Sequence, residues 1–377
     1  MNKFRLIFIF LILISCSNKN TDFLLEEIQK KVFILDESSS FNIKSSSFFS
    51  NLSNKENFSF LNINNNSLVI YEDSIPKIIK LEVEGANGVG NLNTFTSHKI
   101  LPDNTVALVQ SQMGKVFLLS KKGKVLNKFE LFNINDRKSF YSFPYNSINN
   151  PIIYLDNRLY FTESLVKYFG NYKDVPLVRE LSIIDGKTKN IFSLPKVYEE
   201  NFWGALFKYN LSISKTTNDQ QFLISLPIST NLYKIDFKGN ILKEIECKSK
   251  FIDNIEPMNN DKLYGNKNIA DWKKINSYSL TSSDYNSIIF DKFNKLYYRV
   301  VYLRPDLDKY ISGDRKPDFS IIVLDEKFNV LGEQKFDSNT FSNNFILVSK
   351  EGLAIARKDL YEQDNDKLTF SIFKLIK

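Results

Sequence analysis

NLYKIDFKGNILKEIE (231–246) reads as a β-hairpin: an apolar strand, a tight polar turn, and a second strand in which polar and apolar residues alternate. Gly239 stands in the turn, where a positive φ is often required. The same shape recurs in KVFLLSKKGKVLNKFEL (115–131), ELSIIDGKTKNIFSLP (180–195) and FSIIVLDEKFNVLGEQKF (319–336), with Gly123 and Gly186 in the first two turns. SLVIYEDSIPKIIKLEV (67–83) fits with a Pro in its turn. No segment keeps a helical period long enough to compete.

Working outward, the later hairpins each follow another strand pair. These are FTSHKI–LPDN–TVALVQS, PIIYL–DNR–LYFTES, LSISKT–TNDQ–QFLISLP and SIIFD–KFN–KLYYRVVYL. A last pair, FILVS–KEG–LAIARKD, runs into the terminal strand LTFSIFKLI. The units are therefore four-stranded, and six of them fill the chain. The last lacks an outer strand, which KKVFILDES (30–38) can supply. The expected fold is all-β: a six-bladed β-propeller of four-stranded antiparallel blades over residues 30–377, its ring closed by an N-terminal strand. Closure of this kind hides two sheet edges that would otherwise invite aggregation. A pair of β-sandwiches is the competing architecture and explains the repeated hairpins less well.

Composition agrees. Aromatics make up 14% of 377 residues, with 33 Phe and 18 Tyr, which suits strands. One His and two distant Cys exclude His-cluster metal sites, thiolate zinc sites and a disulfide framework. No metal and no cofactor are expected. The net charge of +7 is spread along the chain without a basic run, so no nucleic-acid groove is expected either.

MNKFRLIFIFLILISC (1–16) joins a basic start, Lys3 and Arg5, to an apolar run from Leu6 to Ile14. A lasting helical span needs roughly 20 apolar residues, so the run fits the core of a signal peptide. Ser15-Cys16 resembles a bacterial lipobox. The expected order is a lipoprotein signal peptide at 1–15, a lipidated tether at 16–29 and a membrane anchor through Cys16. An ordinary secretory signal followed by a chance Cys is the alternative. Ser17, in place of Asp, leans towards the outer membrane, on its periplasmic or its surface face. Cys247, the other cysteine, reads as a half-buried structural residue.

In a propeller, the turns between the first and second and between the third and fourth strands share one end of the ring. The remaining connections share the other. The long segments, 132–149, 163–178, 196–209, 249–286 and 303–318, all fall in the second class. Connections of this length are usually functional or disordered. They carry Tyr, Trp and Arg, the side chains that supply most binding energy. The ligand-binding candidates are Arg137, Tyr141, Tyr145, Trp203, Trp272, Tyr285, Arg304 and Arg315. These aromatics can equally serve to pack the loops down on the ring.

No catalytic residues are identified. His98, the only imidazole, sits in a proposed innermost strand facing the channel and cannot build a triad alone. Glu199-Glu200 and Asp306/Asp308 lie in loops where charge is ordinary. Asp364-Asn365-Asp366 lacks the Gly and terminal Glu of a calcium loop and reads as a hairpin turn. GANGVGN (85–91) lacks the strand-to-helix setting of a phosphate loop.

The segment DYNSIIFDKFNKLYYRVVYLRP (284–305) sets Tyr297-Tyr298-Arg299 in a central strand after an Asp-x-x-x-Lys turn. With the lipobox, the length and the aromatic hairpins, it resembles a family of uncharacterised bacterial lipoproteins classed as a domain of unknown function. That resemblance implies a six-bladed β-propeller and an envelope location, and it supplies no catalytic residues. The functional expectation is a non-catalytic binding module whose long-loop face takes a glycan, a peptide or an envelope protein. The alternatives are a scaffold subunit of an envelope complex and a carboxylate-dependent glycosidase or lyase.

Overall fold

The computed structural model describes residues 24–35, 41, 45–50, 56–72, 75–85, 88–133, 142–165, 175–218, 220–258 and 269–376. Cys16, Arg137 and Tyr141 lie outside the described residues. Six antiparallel sheets follow one another along the chain, and each begins with the strand nearest the axis. The innermost strands are Ser46–Ser50, Ser97–Ile100, a split pair Ser142–Pro144 and Ile153–Leu155, Ser212–Lys215, Asp284–Asp291 and Phe341–Ser349. The fold is a six-bladed β-propeller.

The ring closes as the sequence implies. Leu24–Ile34 is the outer strand of the sixth blade and pairs antiparallel with Lys367–Ile376, from Leu24 opposite Ile376 to Ile34 opposite Lys367. The strand begins at Leu24, ahead of the boundary expected at residue 30. Leu24 therefore enters the ring at the end that carries the short turns.

The turns explain the repeat. In the fourth blade Asp236 accepts hydrogen bonds from the Lys238 and Asn240 amides (2.8 and 2.9 Å) and from the Asn240 side chain (2.9 Å). Asp325 does the same with Lys327 and Asn329 in the fifth. The Asn240 amide, followed by the backbone donors, holds the Asp236 carboxyl below its usual range. Gly239 has φ +87°, and a Cβ there would sit 1.8 Å from the Ile191 carbonyl of the preceding blade. Gly123, φ +80°, meets the Lys80 carbonyl in the same way at 2.1 Å. Glycine is needed at both positions for the turn and for the close approach of one blade to the next.

The core consists of six apolar clusters, one between each adjacent pair of blades. The cluster that seals first blade to last is aromatic: Phe33, Phe58, Phe60, Phe345 and Phe370, with ring centroids 5.0–6.5 Å apart. Truncating one such ring to Ala costs about 3–5 kcal/mol.

Arg299 is fully buried between the fourth and fifth blades. Its guanidinium donates to the carbonyls of Ser229 (2.7 Å), Thr230 (2.6 Å) and Cys247 (2.8 Å) and lies 3.7 Å above the Tyr285 ring. A buried charge must be hydrogen-bonded, and here backbone carbonyls do it, with no carboxylate. Cys247 is fully buried, and burial pushes its thiol up.

Two expectations are corrected. Ile269–Thr281, within the segment 249–286, is a helix of 13 residues. It is held by packing of Ile275 against Phe202 and Ala205. Asp364 and Asp366 follow a shorter helix, Lys358–Gln363, rather than forming a bare hairpin turn.

Candidate functional site

The innermost strand of the third blade is interrupted. Ser142–Pro144 pairs with the far end of Arg158–Leu165, and Ile153–Leu155 pairs with its near end. Between them, residues 145–152 leave the sheet and cross the channel. Asn149 makes the crossing fast: its Nδ2 donates to the Asn343 carbonyl and its Oδ1 accepts from the Ile346 amide, both 2.8 Å, on the opposite blade. Asn150 ties the same segment to the fourth blade. Its Nδ2 donates to Thr162 Oγ1 (2.8 Å) and the Leu211 carbonyl (3.2 Å), while its Oδ1 accepts from the Ile213 amide (3.2 Å). The segment is a floor across the channel with a mouth on either side.

The long-loop mouth is a cavity of about 250 Å³. Tyr145, Ser147, Asn149 and Asn150 come from the floor; Asn210, Ser212, Asn286, Ser287, Tyr302 and Asn344 come from the fourth, fifth and sixth blades. Among the described residues its lining carries no charged side chain. Buried Asn210 Oδ1 and Ser287 Oγ have no partner among the described residues, an arrangement that costs free energy and leaves two hydrogen-bonding positions to a ligand. Tyr302 donates to Asn344 Oδ1 at 2.6 Å. The Tyr145 ring is 51% exposed at the rim, where it can lie against a ligand's face.

Of the sequence candidates that are described, Tyr145 alone lines this mouth. Trp203 is buried against Tyr198 and donates from its indole to the Val197 carbonyl at 3.1 Å. Tyr285 is buried under Arg299, its hydroxyl accepting from the Ser249 amide at 3.0 Å. Arg304 bonds Asp284 at 2.5 Å and stacks on Phe207. Asp284 in turn pairs with the fully buried Lys208, whose Nζ also reaches the Ser282 and Ser283 carbonyls. These residues fasten the long loops to the ring. Trp272 is half-exposed on the helix, and Arg315 lies over the half-buried Tyr310 ring.

The asparagines were missed because Asn in YNSINNP (145–151) reads as turn chemistry. A usable signal is their position immediately before a proposed innermost strand. His98 is buried with its Nε2 2.7 Å from Ser59 Oγ. Burial, then the charge of Lys99, pushes its pKa down to about 3, which keeps the ring neutral.

Among the described residues no group of His, Cys, Asp and Glu could hold a metal ion, and no helix is long and apolar enough to cross a membrane.

No curated protein matches the sequence. The solved structure of a DUF4221 family member from Bacteroides vulgatus has a TM-score of 0.79 at 19% identity, covering 95% of this chain and 100% of that one. A structure from Bacteroides fragilis has a TM-score of 0.53 at 10% identity, covering 93% and 95%. A virginiamycin B lyase from Staphylococcus aureus has a TM-score of 0.43 at 12% identity, covering 92% and 99%. At these identities the first two likenesses are of fold alone. The domain of unknown function DUF4221 matches residues 13–335 in sequence, and the chain belongs to that family.

Proposed function

We propose that the protein is a non-catalytic binding module, anchored to the outer membrane through a lipid on Cys16, whose long-loop mouth takes a neutral glycan unit. The observation that carries this reading is the lining: asparagine and serine around a cavity, two of their polar atoms unpartnered, and a tyrosine ring at the rim. Uncharged amides and hydroxyls match sugar hydroxyls, which donate and accept in equal measure. Among the described residues, this lining holds no carboxylate pair of the kind a glycosidase uses.

A glycan array probed with the full chain tests the reading. Binding to neutral glycans is expected. Tyr145→Ala lowers affinity about tenfold, from the loss of one stacked ring and its contacts. Turnover of a bound glycan, or unchanged binding by the Tyr145 variant, overturns it. Labelling of Cys16 with a fatty-acid analogue in cells tests the anchor, and a Cys16→Ser chain stays unlabelled.

A further inference from the structure

On the other side of the floor lies a different mouth. The cavity at the short-turn end has a volume of about 510 Å³. Its walls are the ends of the innermost strands of four blades: Ile100, Ile152, Ile153, Ile213, Ile288 and Phe290. Its polar groups are few, and three of them are lysines: Lys99 from the second blade, Lys215 from the fourth and Lys292 from the fifth. The three converge only because the ring closes.

Such an arrangement is costly unless it is used. Lys99 is partly buried, and neither it nor Lys292 makes an ion pair among the described residues. Burial, then Lys215 and Lys292, pushes the Lys99 pKa down to about 8. Like charges gathered over an apolar wall repel one another and lose hydration. A single anionic head offsets both costs, and an apolar body behind it fills the isoleucine wall.

We infer that the short-turn mouth is a binding site for an amphipathic carboxylate, its head held by Lys99 and Lys292 with Lys215 beside them and its hydrocarbon chain against Ile152, Ile213 and Ile288. The site is separate from the asparagine mouth, and its ligand is opposite in character.

Calorimetric titration of the full chain with octanoate, octan-1-ol and octylammonium tests this. Octanoate binds saturably, and the other two bind at least tenfold more weakly. Lys99→Met weakens octanoate about tenfold, the effect of losing one charge-assisted bond. Lys292→Gln, at an exposed position that folding tolerates, weakens it about threefold and stands in if the Lys99 variant does not fold. Lys122→Met, on an exposed turn at the same end, leaves binding unchanged. Equal binding of the alcohol or the amine overturns the inference, as does unchanged octanoate binding in the Lys99 and Lys292 variants. Displacement of octanoate by equimolar inorganic phosphate overturns the class, because the apolar wall would then contribute nothing.

Discussion

The two mouths of the channel share one floor and differ in almost everything else. The long-loop mouth is neutral and is built from amides, hydroxyls and a tyrosine. The short-turn mouth is greasy and positive. The loops above the first are fastened by buried polar side chains that reach backbone carbonyls, such as Lys208 and Asn150. The end around the second is held by tight turns whose carboxylates cap their own amides, as Asp236 and Asp325 do. Long connections give a mouth its variety, and each one must be tied down by a buried hydrogen bond or ion pair. Short turns leave little to tie down, so that end is decorated by the strand ends and, with Lys292, by a turn.

The strongest challenge to this comparison is Asp284→Asn. Asp284 is buried between Lys208 and Arg304. The substitution leaves two cations uncompensated and lowers stability by about 3–5 kcal/mol, read as a fall in the urea midpoint. A change within error would show that the long-loop end does not depend on its buried pairs.

Asn149→Ala acts on the floor. It removes two buried hydrogen bonds to the opposite blade and costs about 1–3 kcal/mol. Ligands at both mouths weaken together if the floor is common to them. Weakening at one mouth only would separate them.

Raising the pH distinguishes the mouths without mutation. A lysine holds an anion only while protonated, so octanoate affinity falls as pH rises through about 8, the value for Lys99. The groups at the other mouth stay neutral in this range, with burial pushing Tyr145 up from 10. Titration at pH 7 and pH 9 checks this, and a flat octanoate profile would remove Lys99 from the site.

The smallest expected effect is on stability. The folded pKa of Lys99 lies below the ordinary 10.5. Below about pH 8 both folded and unfolded chains hold the proton, and the burial penalty is present in full. Between about 8 and 10.5 the unfolded chain alone keeps it, so stability gained through this group rises with pH. Lys99→Met therefore raises the urea midpoint at pH 7, and the gain shrinks by pH 10. A loss at pH 7 would mean that the lysine is structural.

The architecture was legible because its determinants are local. Asp236 to Asn240 and Asp325 to Asn329 encode their turns within five residues, and the strands between alternate. The closing strand was legible because a blade was one strand short. The site was only partly so. Trp203 and Tyr285 belong to the types that mark binding surfaces, yet they turn inward, because a long loop packs with the same aromatics that a ligand would want. Asn149 and Lys99 look ordinary in sequence. What makes each unusual is a partner some two hundred residues away for Asn149, and the lysines of two distant blades for Lys99. The helix Ile269–Thr281 went unread because its register is set by what it rests on.

The closing strand has a further consequence for how the molecule hangs. Leu24 is paired with Ile376, so the first described residue stands on the lysine side of the ring. A tether on that side would lower the greasy, positive opening towards its support and turn the asparagine opening outward to the medium, as a cup is held by its base.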